Sequence, residues 1–112
     1  MVEERRRRRS ENRSVALALL LESCRARAGL DALVIASRDG ALVCASTRAG
    51  VDPGAIAAHL PRTQLRERMP ALHARTFKLG GVRLFLGAVG EVGEAQVGVL
   101  CSAMRGTQRI LC

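Results

Sequence analysis

The chain has no tryptophan and no tyrosine, and its only aromatic residues are Phe77 and Phe85. Modules that bind single-stranded nucleic acid stack bases on aromatic rings, so this composition leaves that class almost no material. No apolar run approaches the roughly 18–20 residues that a membrane-spanning helix needs. Lysine is nearly missing as well: Lys78 stands alone, and the other seventeen basic residues are arginines. That ratio is as consistent with GC-rich codon usage as with selection for an anionic partner. No C-x-x-C pair occurs among the four cysteines Cys24, Cys44, Cys101 and Cys112, and His59 and His73 are the only histidines. A zinc site would have to be gathered from scattered positions, against the usual ligand spacings. No metal and no cofactor is therefore expected. Cys24, Cys44 and Cys101 fall in apolar segments, where cysteine acts as a small hydrophobe, and they read as free thiols in a reducing cytoplasm.

What is present is enough for one domain. The chain has 112 residues, 48% hydrophobic and 25% charged, which fits a globular body with a single core. Eighteen basic residues against ten acidic ones give a net charge of +8. Within residues 1–13, six arginines (Arg5, Arg6, Arg7, Arg8, Arg9 and Arg13) face three glutamates, a net +3. A run of like charge with nothing to bury reads as a disordered basic tail, leaving residues 14–112 as the domain. The apolar stretch Val15–Leu21 behind a basic segment imitates a signal peptide, but Glu22, Arg25 and Arg27 occupy the uncharged cleavage region such a peptide requires. Export is not expected.

From Ser14 to Ala28 the pattern is helical, with Leu17, Leu20, Leu21, Cys24 and Ala28 on one face, Ser14 as cap and Gly29 as terminator. Ala32–Ser37 is apolar on both pleat faces, as a strand covered on both sides should be. Asp39-Gly40 predicts a two-residue type I′ turn into a return strand, Ala41–Ser46. Asp52-Pro53 opens a second helix, which Pro61 and Pro70 should break or kink within residues 52–72, giving two short helices. Arg75–Leu79, Gly80-Gly81 and Val82–Val89 read as a hairpin. Ala95–Cys101 reads as a fifth strand and Ser102–Leu111 as a short helix presenting Met104, Ile110 and Leu111 to the sheet. The expected class is α/β of the α+β type: a five-stranded, mostly antiparallel sheet flanked by helices, in the order α-β-β-α-β-β-β-α.

Catalytic chemistry has little to stand on. No histidine lies beside a cysteine in a way that suggests an activated thiol. Glu91 and Glu94 flank glycines in a turn and read as solvated charges, and Gly90-Glu91-Val92-Gly93 matches neither the Walker loop nor the dinucleotide fingerprint. A non-enzyme is expected. The arginine run can dock electrostatically to an acidic partner, and a nucleic-acid-binding protein using that tail is the alternative reading, with a steep salt dependence as its signature.

Leu20-Leu21 leading to Ala28-Gly29-Leu30, then Ala32-Leu33-Val34-Ile35-Ala36 and Asp39-Gly40-Ala41-Leu42-Val43, resemble the opening of the Roadblock/LC7 domain, of the bacterial type that regulates small GTPases. The alanine-rich start of the second helix, Ala55, Ala57 and Ala58, and the meander behind it extend the resemblance over residues 14–111. Profilin-like domains share the architecture. The resemblance implies a non-catalytic scaffold that pairs with itself or with another Roadblock-like subunit and binds a Ras-like small GTPase, with nucleic acid not the expected partner. Such domains pair through the second helix and the following edge strand. Carried onto this chain, that surface is Ile56, Leu60, Leu65, Met69, Phe77 and Leu79, with Arg5 to Arg9 as an electrostatic tail. Pro61 and Pro70 depart from the family's uninterrupted second helix, which leaves homodimer and heterodimer both open. Arg38, Arg48, Arg62 and Arg66 are equally placed as regards stimulating a GTPase.

Overall fold

The computed structural model describes the backbone of residues 2–62 and 69–111, and the side chains of residues 12–62 and 69–111. The elements run α1 (Val2–Ala28), β1 (Ala32–Ser37), β2 (Leu42–Thr47), α2 (Pro53–His59), β3 (Leu72–Leu79), β4 (Val82–Val89) and α3 (Glu94–Leu111). The strands form one antiparallel sheet in the order β2-β1-β4-β3. Helices α1 and α3 pack together on one face, and α2 lies on the other over β1 and β2.

The period-two alternation of the strands feeds two cores. Leu33, Ile35, Phe77, Leu84, Leu86 and Ala88 meet Leu17, Leu21 and Cys24 of α1 and Leu100 and Ala103 of α3. On the opposite face Ala32, Val34, Ala36 and Leu72 meet Ile56, Ala57 and Leu60. The central strand β1 contributes to both, so Ala32–Ala36 are all buried, as its doubly apolar sequence requires. Met104, Ile110 and Leu111 pack partly buried against the first core, as expected.

Helix α1 ends where the sequence places its stop. Gly29 takes φ +66°, its N–H donates to the Ala26 carbonyl at 3.2 Å, and Leu30 N–H donates to the Arg25 carbonyl at 3.0 Å. This is a Schellman termination, in which glycine meets the left-handed turn without a Cβ penalty. At its other end the helix starts at Val2, and Ser14 lies inside it. The backbone of residues 2–13, expected as a disordered tail, is helical. Extending a helix already anchored by packing adds a hydrogen bond per residue without a new nucleation cost.

Three other expectations are corrected. The β1–β2 connection is a three-residue loop, with Gly40 N–H donating to the Ser37 carbonyl at 3.0 Å and Ser37 N–H to the Ala41 carbonyl at 2.9 Å. Gly40 has φ +88°, and among the described residues none other than glycine has positive φ. Type I′ needs positive φ at both central positions, so Asp39 excludes it. Only Gly80-Gly81, at φ +55° and +83°, makes the two-residue turn. Within 52–72 the described helix is α2, Pro53–His59, and Leu72 already belongs to β3. The second short helix expected there falls on residues largely outside those described.

The expected fifth strand does not form. Ala95–Cys101 is instead the first half of α3, continuous with the short terminal helix, so the described sheet has four strands. Its buried positions Leu100, Ala103 and Thr107 keep helical spacing, and that packing overrides the local β preference of Val97-Gly98-Val99. Gln96 Oε1 accepts from Gly93 N–H at 2.9 Å, the reciprocal half of a capping box, with Glu94 in the first turn. Gln96 Nε2 also donates to the Ala28 carbonyl at 3.5 Å, tying the start of α3 to the end of α1.

Candidate interaction surface

The six residues expected at a pairing surface do not lie together. Ile56 and Leu60 are buried under α2 with Met69 packed beside them, whereas Phe77 is buried on the opposite face with Leu79 packed against the same core. Leu65 lies outside the described residues. Ile56, Leu60 and Phe77 thus fill the chain's own two cores. A sequence pattern marks a position as apolar without saying whether its own chain or another covers it.

The residues that the sequence did not single out are the backbone groups of β3. It is one of the two sheet edges, eight residues long and paired with β4 without a register break. The other edge, β2, meets β1 across an irregularity at Ile35 and Ala36. The tight Gly80-Gly81 turn makes Leu79 and Val82 a hydrogen-bonded pair, so Phe77 and Arg75 also bond inward by alternation. Ala74, Thr76 and Lys78 consequently turn their N–H and C=O groups outward. Gln108 of α3 already uses one of them, its Nε2 donating to the Lys78 carbonyl at 2.9 Å. Among the described residues nothing else bonds the outward groups of Ala74 and Thr76, which leaves them to water or to another strand. Arg75 and Lys78 put charge on this edge, a common guard against indiscriminate pairing.

Arg25 links helix and sheet, its Nε donating to Ser46 Oγ at 2.8 Å and its Nη1 to the Leu30 carbonyl at 3.4 Å. Arg48 pairs with Asp31 at 3.1 Å on an exposed surface, where such pairs add little stability. Arg5 to Arg9 belong to the first turns of α1. The region after α2 that holds Arg66 is outside the described residues.

His59 Nδ1 lies 2.6 Å from the Ala55 carbonyl within α2, and His73 sits on β3. Cys24 is buried and accepts from Arg27 Nη2 at 3.5 Å. Burial pushes the Cys44 thiol above its ordinary value, with a backbone hydrogen bond at Ala45 opposing the shift. That burial disfavours an activated thiolate at Cys44. Among the described residues no three His, Cys, Asp or Glu side chains gather in a way that could hold a metal ion, and no helix is long and apolar enough to cross a membrane.

No family model matches the sequence, and no curated protein matches it. Among solved structures the chain is similar to Myxococcus xanthus MglB, with a TM-score of 0.61 over 85% of this chain and 94% of that one. The identity is 9%. At that identity the likeness is one of fold, carried by the layered arrangement of helices on an antiparallel sheet.

Proposed function

We propose that this chain is a non-catalytic pairing and scaffolding module that binds and regulates a Ras-like small GTPase. The observation that carries the reading is the regular β3 edge, open at Ala74 and Thr76, on a fold shared with MglB, a Roadblock/LC7 GTPase regulator. Open strand edges are templates for pairing, and two-fold closure is the commonest way to satisfy one without forming a fibre. Two copies joined through β3 would continue one sheet across the axis, with Met69 and Leu79 at its margins. A second Roadblock-like subunit would satisfy the same edge. The body of the module is residues 14–112, with residues 2–13 prolonging α1 as an arginine-bearing arm.

The test is a mass measurement in solution over a range of concentrations, together with capture of interacting proteins on the full chain. A dimer, with recovery of a small GTPase, is the expected result. A chain that stays monomeric at high concentration and recovers neither a GTPase nor a Roadblock-like subunit would overturn the reading.

A further inference from the structure

The hairpin end of the sheet holds a cleft that this reading does not use. Its walls come from three places in the chain: the β1–β2 loop with Ser37, Arg38 and Asp39, the β3–β4 hairpin with Lys78 and Arg83, and Pro61 just beyond α2. Phe85 and Val82 supply its apolar lining, and its volume is about 740 Å³. That is the size range of small-ligand sites, about 300–1,000 Å³. The cleft exists because α2 covers β1 and β2 and stops at Leu60, against which Gly40 of the loop packs closely through Ala58 and Pro61.

The charge in this cleft is arranged against stability. Lys78 and Arg83 are directly opposite each other in the β3–β4 register. Like charges so placed repel and cost the hairpin free energy. Both side chains are exposed, and neither is in an ion pair among the described residues, where Arg48–Asp31 is the one salt bridge. Arg38 adds a third cation from the facing loop, and among the described lining residues Asp39 is the one carboxylate. Cross-strand partners have Cβ atoms about 5 Å apart, so two long cationic side chains can converge on one group between them. A tetrahedral oxyanion with several acceptor oxygens matches that convergence, and charge-assisted hydrogen bonds to it are among the stronger polar contacts. An apolar or aromatic remainder of the same ligand would lie along Phe85, Val82 and Pro61.

We infer that this cleft binds the phosphate group of a small ligand, gripped by Lys78 and Arg83 with Arg38 closing from the β1–β2 loop. A nucleotide and a phosphorylated lipid headgroup share this chemistry. The inference does not depend on the GTPase reading, because it concerns a site within one copy of the chain.

The experiment is calorimetric titration of the full chain, in a phosphate-free buffer of fixed ionic strength. The probes are pyrophosphate, ATP, and phosphatidylcholine vesicles with and without phosphatidylinositol 4-phosphate. Saturable one-to-one binding of at least one phosphate probe is expected, weakened about tenfold or more by the double change Lys78→Ala and Arg83→Ala. Arg105→Ala, an exposed cation on α3, should leave affinity within about twofold, because screening reduces a remote charge to a small effect. Preference for ATP over pyrophosphate assigns a nucleotide, and preference for the phosphoinositide vesicles assigns a headgroup. Lys78→Glu should abolish binding while raising the melting temperature, since it replaces a repulsive pair with an attractive one. Absence of saturable binding to every probe overturns the inference, as does an equal loss in Arg105→Ala. Tighter binding of a polyglutamate peptide than of any phosphate probe overturns it too.

Discussion

Leu60 lies over Gly87, so close that a Cβ at residue 87 would stand 2.7 Å from Leu60 Cδ2. The absence of a side chain on β4 is what lets the last residue of the α2 segment become fully buried against the sheet. Gly87→Val should therefore overpack this core and cost about 1–3 kcal/mol. Leu60→Ala should cost about 2–5 kcal/mol by opening a cavity at the same spot. Because the two changes act on one volume, the double variant should be less destabilised than the sum of the singles. Urea unfolding of the four proteins checks this, and strict additivity would break the proposed contact.

Helix α2 has only seven residues, too few to persist on helix propensity alone. Asp52 compensates at its start, where Oδ1 accepts from Gly54 N–H at 3.0 Å and from Ala55 N–H at 3.4 Å. Pro53 at the first helical position gives up no N–H that the helix would have used. Asp52→Ala should cost about 1 kcal/mol, and Asp52→Asn or Asp52→Ser much less, since either keeps an oxygen at the cap. Thermal unfolding of the three variants checks the order, and equal losses in all three would point to charge rather than capping.

The devices legible in the sequence were those that act locally. Gly29, the Asp52-Pro53 start and Gly80-Gly81 each require a particular backbone, and each is where the sequence placed it. The strands β1 and β4 keep their expected bounds because alternation and turn residues agree there. At Ala95–Cys101 the β-branched residues around Gly98 favour a strand locally, but the helix prevails through its start signal and its buried period. Gly93 followed by Glu94 and Gln96 was a helix-start signal in plain view, and Leu100, Ala103 and Thr107 continued its period. The interaction surface was less legible for a different reason. An open edge is made of backbone groups, and whether those groups point outward depends on register and on which strands end up at the margin. The cleft at Lys78 and Arg83 was hidden likewise, because its residues meet only once the hairpin and the β1–β2 loop come to the same end of the sheet.

The Cys44 thiol offers a pH test of packing on β2. Its ionisation is harder in the folded chain than in the unfolded one, because burial penalises the thiolate. At neutral pH both states hold the proton, so this group leaves stability unchanged there. Above the ordinary thiol value the unfolded chain loses its proton first, and stability falls until the pH exceeds the raised native value. The advantage of the wild-type chain over Cys44→Ala should therefore shrink as the pH rises from neutral through the ordinary thiol range. Denaturant titrations of both proteins across that window check the sign. A gap that is constant or widens with pH would show that Cys44 is not shielded.

The proposed pairing role of β3 can be separated from its folding role by one substitution. Proline lacks the backbone N–H, so in a sheet it is tolerated only where that group faces away from the neighbouring strand. Alternation from the Gly80-Gly81 turn places the Thr76 N–H on the outer side of β3. Thr76→Pro should therefore leave the β3–β4 ladder folded while removing the donor, and adding ring bulk, at the centre of the free edge. Phe77→Pro, one residue on, should instead break an inward bond and unfold the hairpin. In solution Thr76→Pro is expected to be monomeric with native-like circular dichroism and a modest loss in melting temperature, whereas the unmodified chain is expected to be dimeric. A Thr76→Pro chain that still dimerises as tightly as the parent would move the contact away from this edge. The remaining candidate among the described edges would then be β2, where Leu42 and Val43 are exposed.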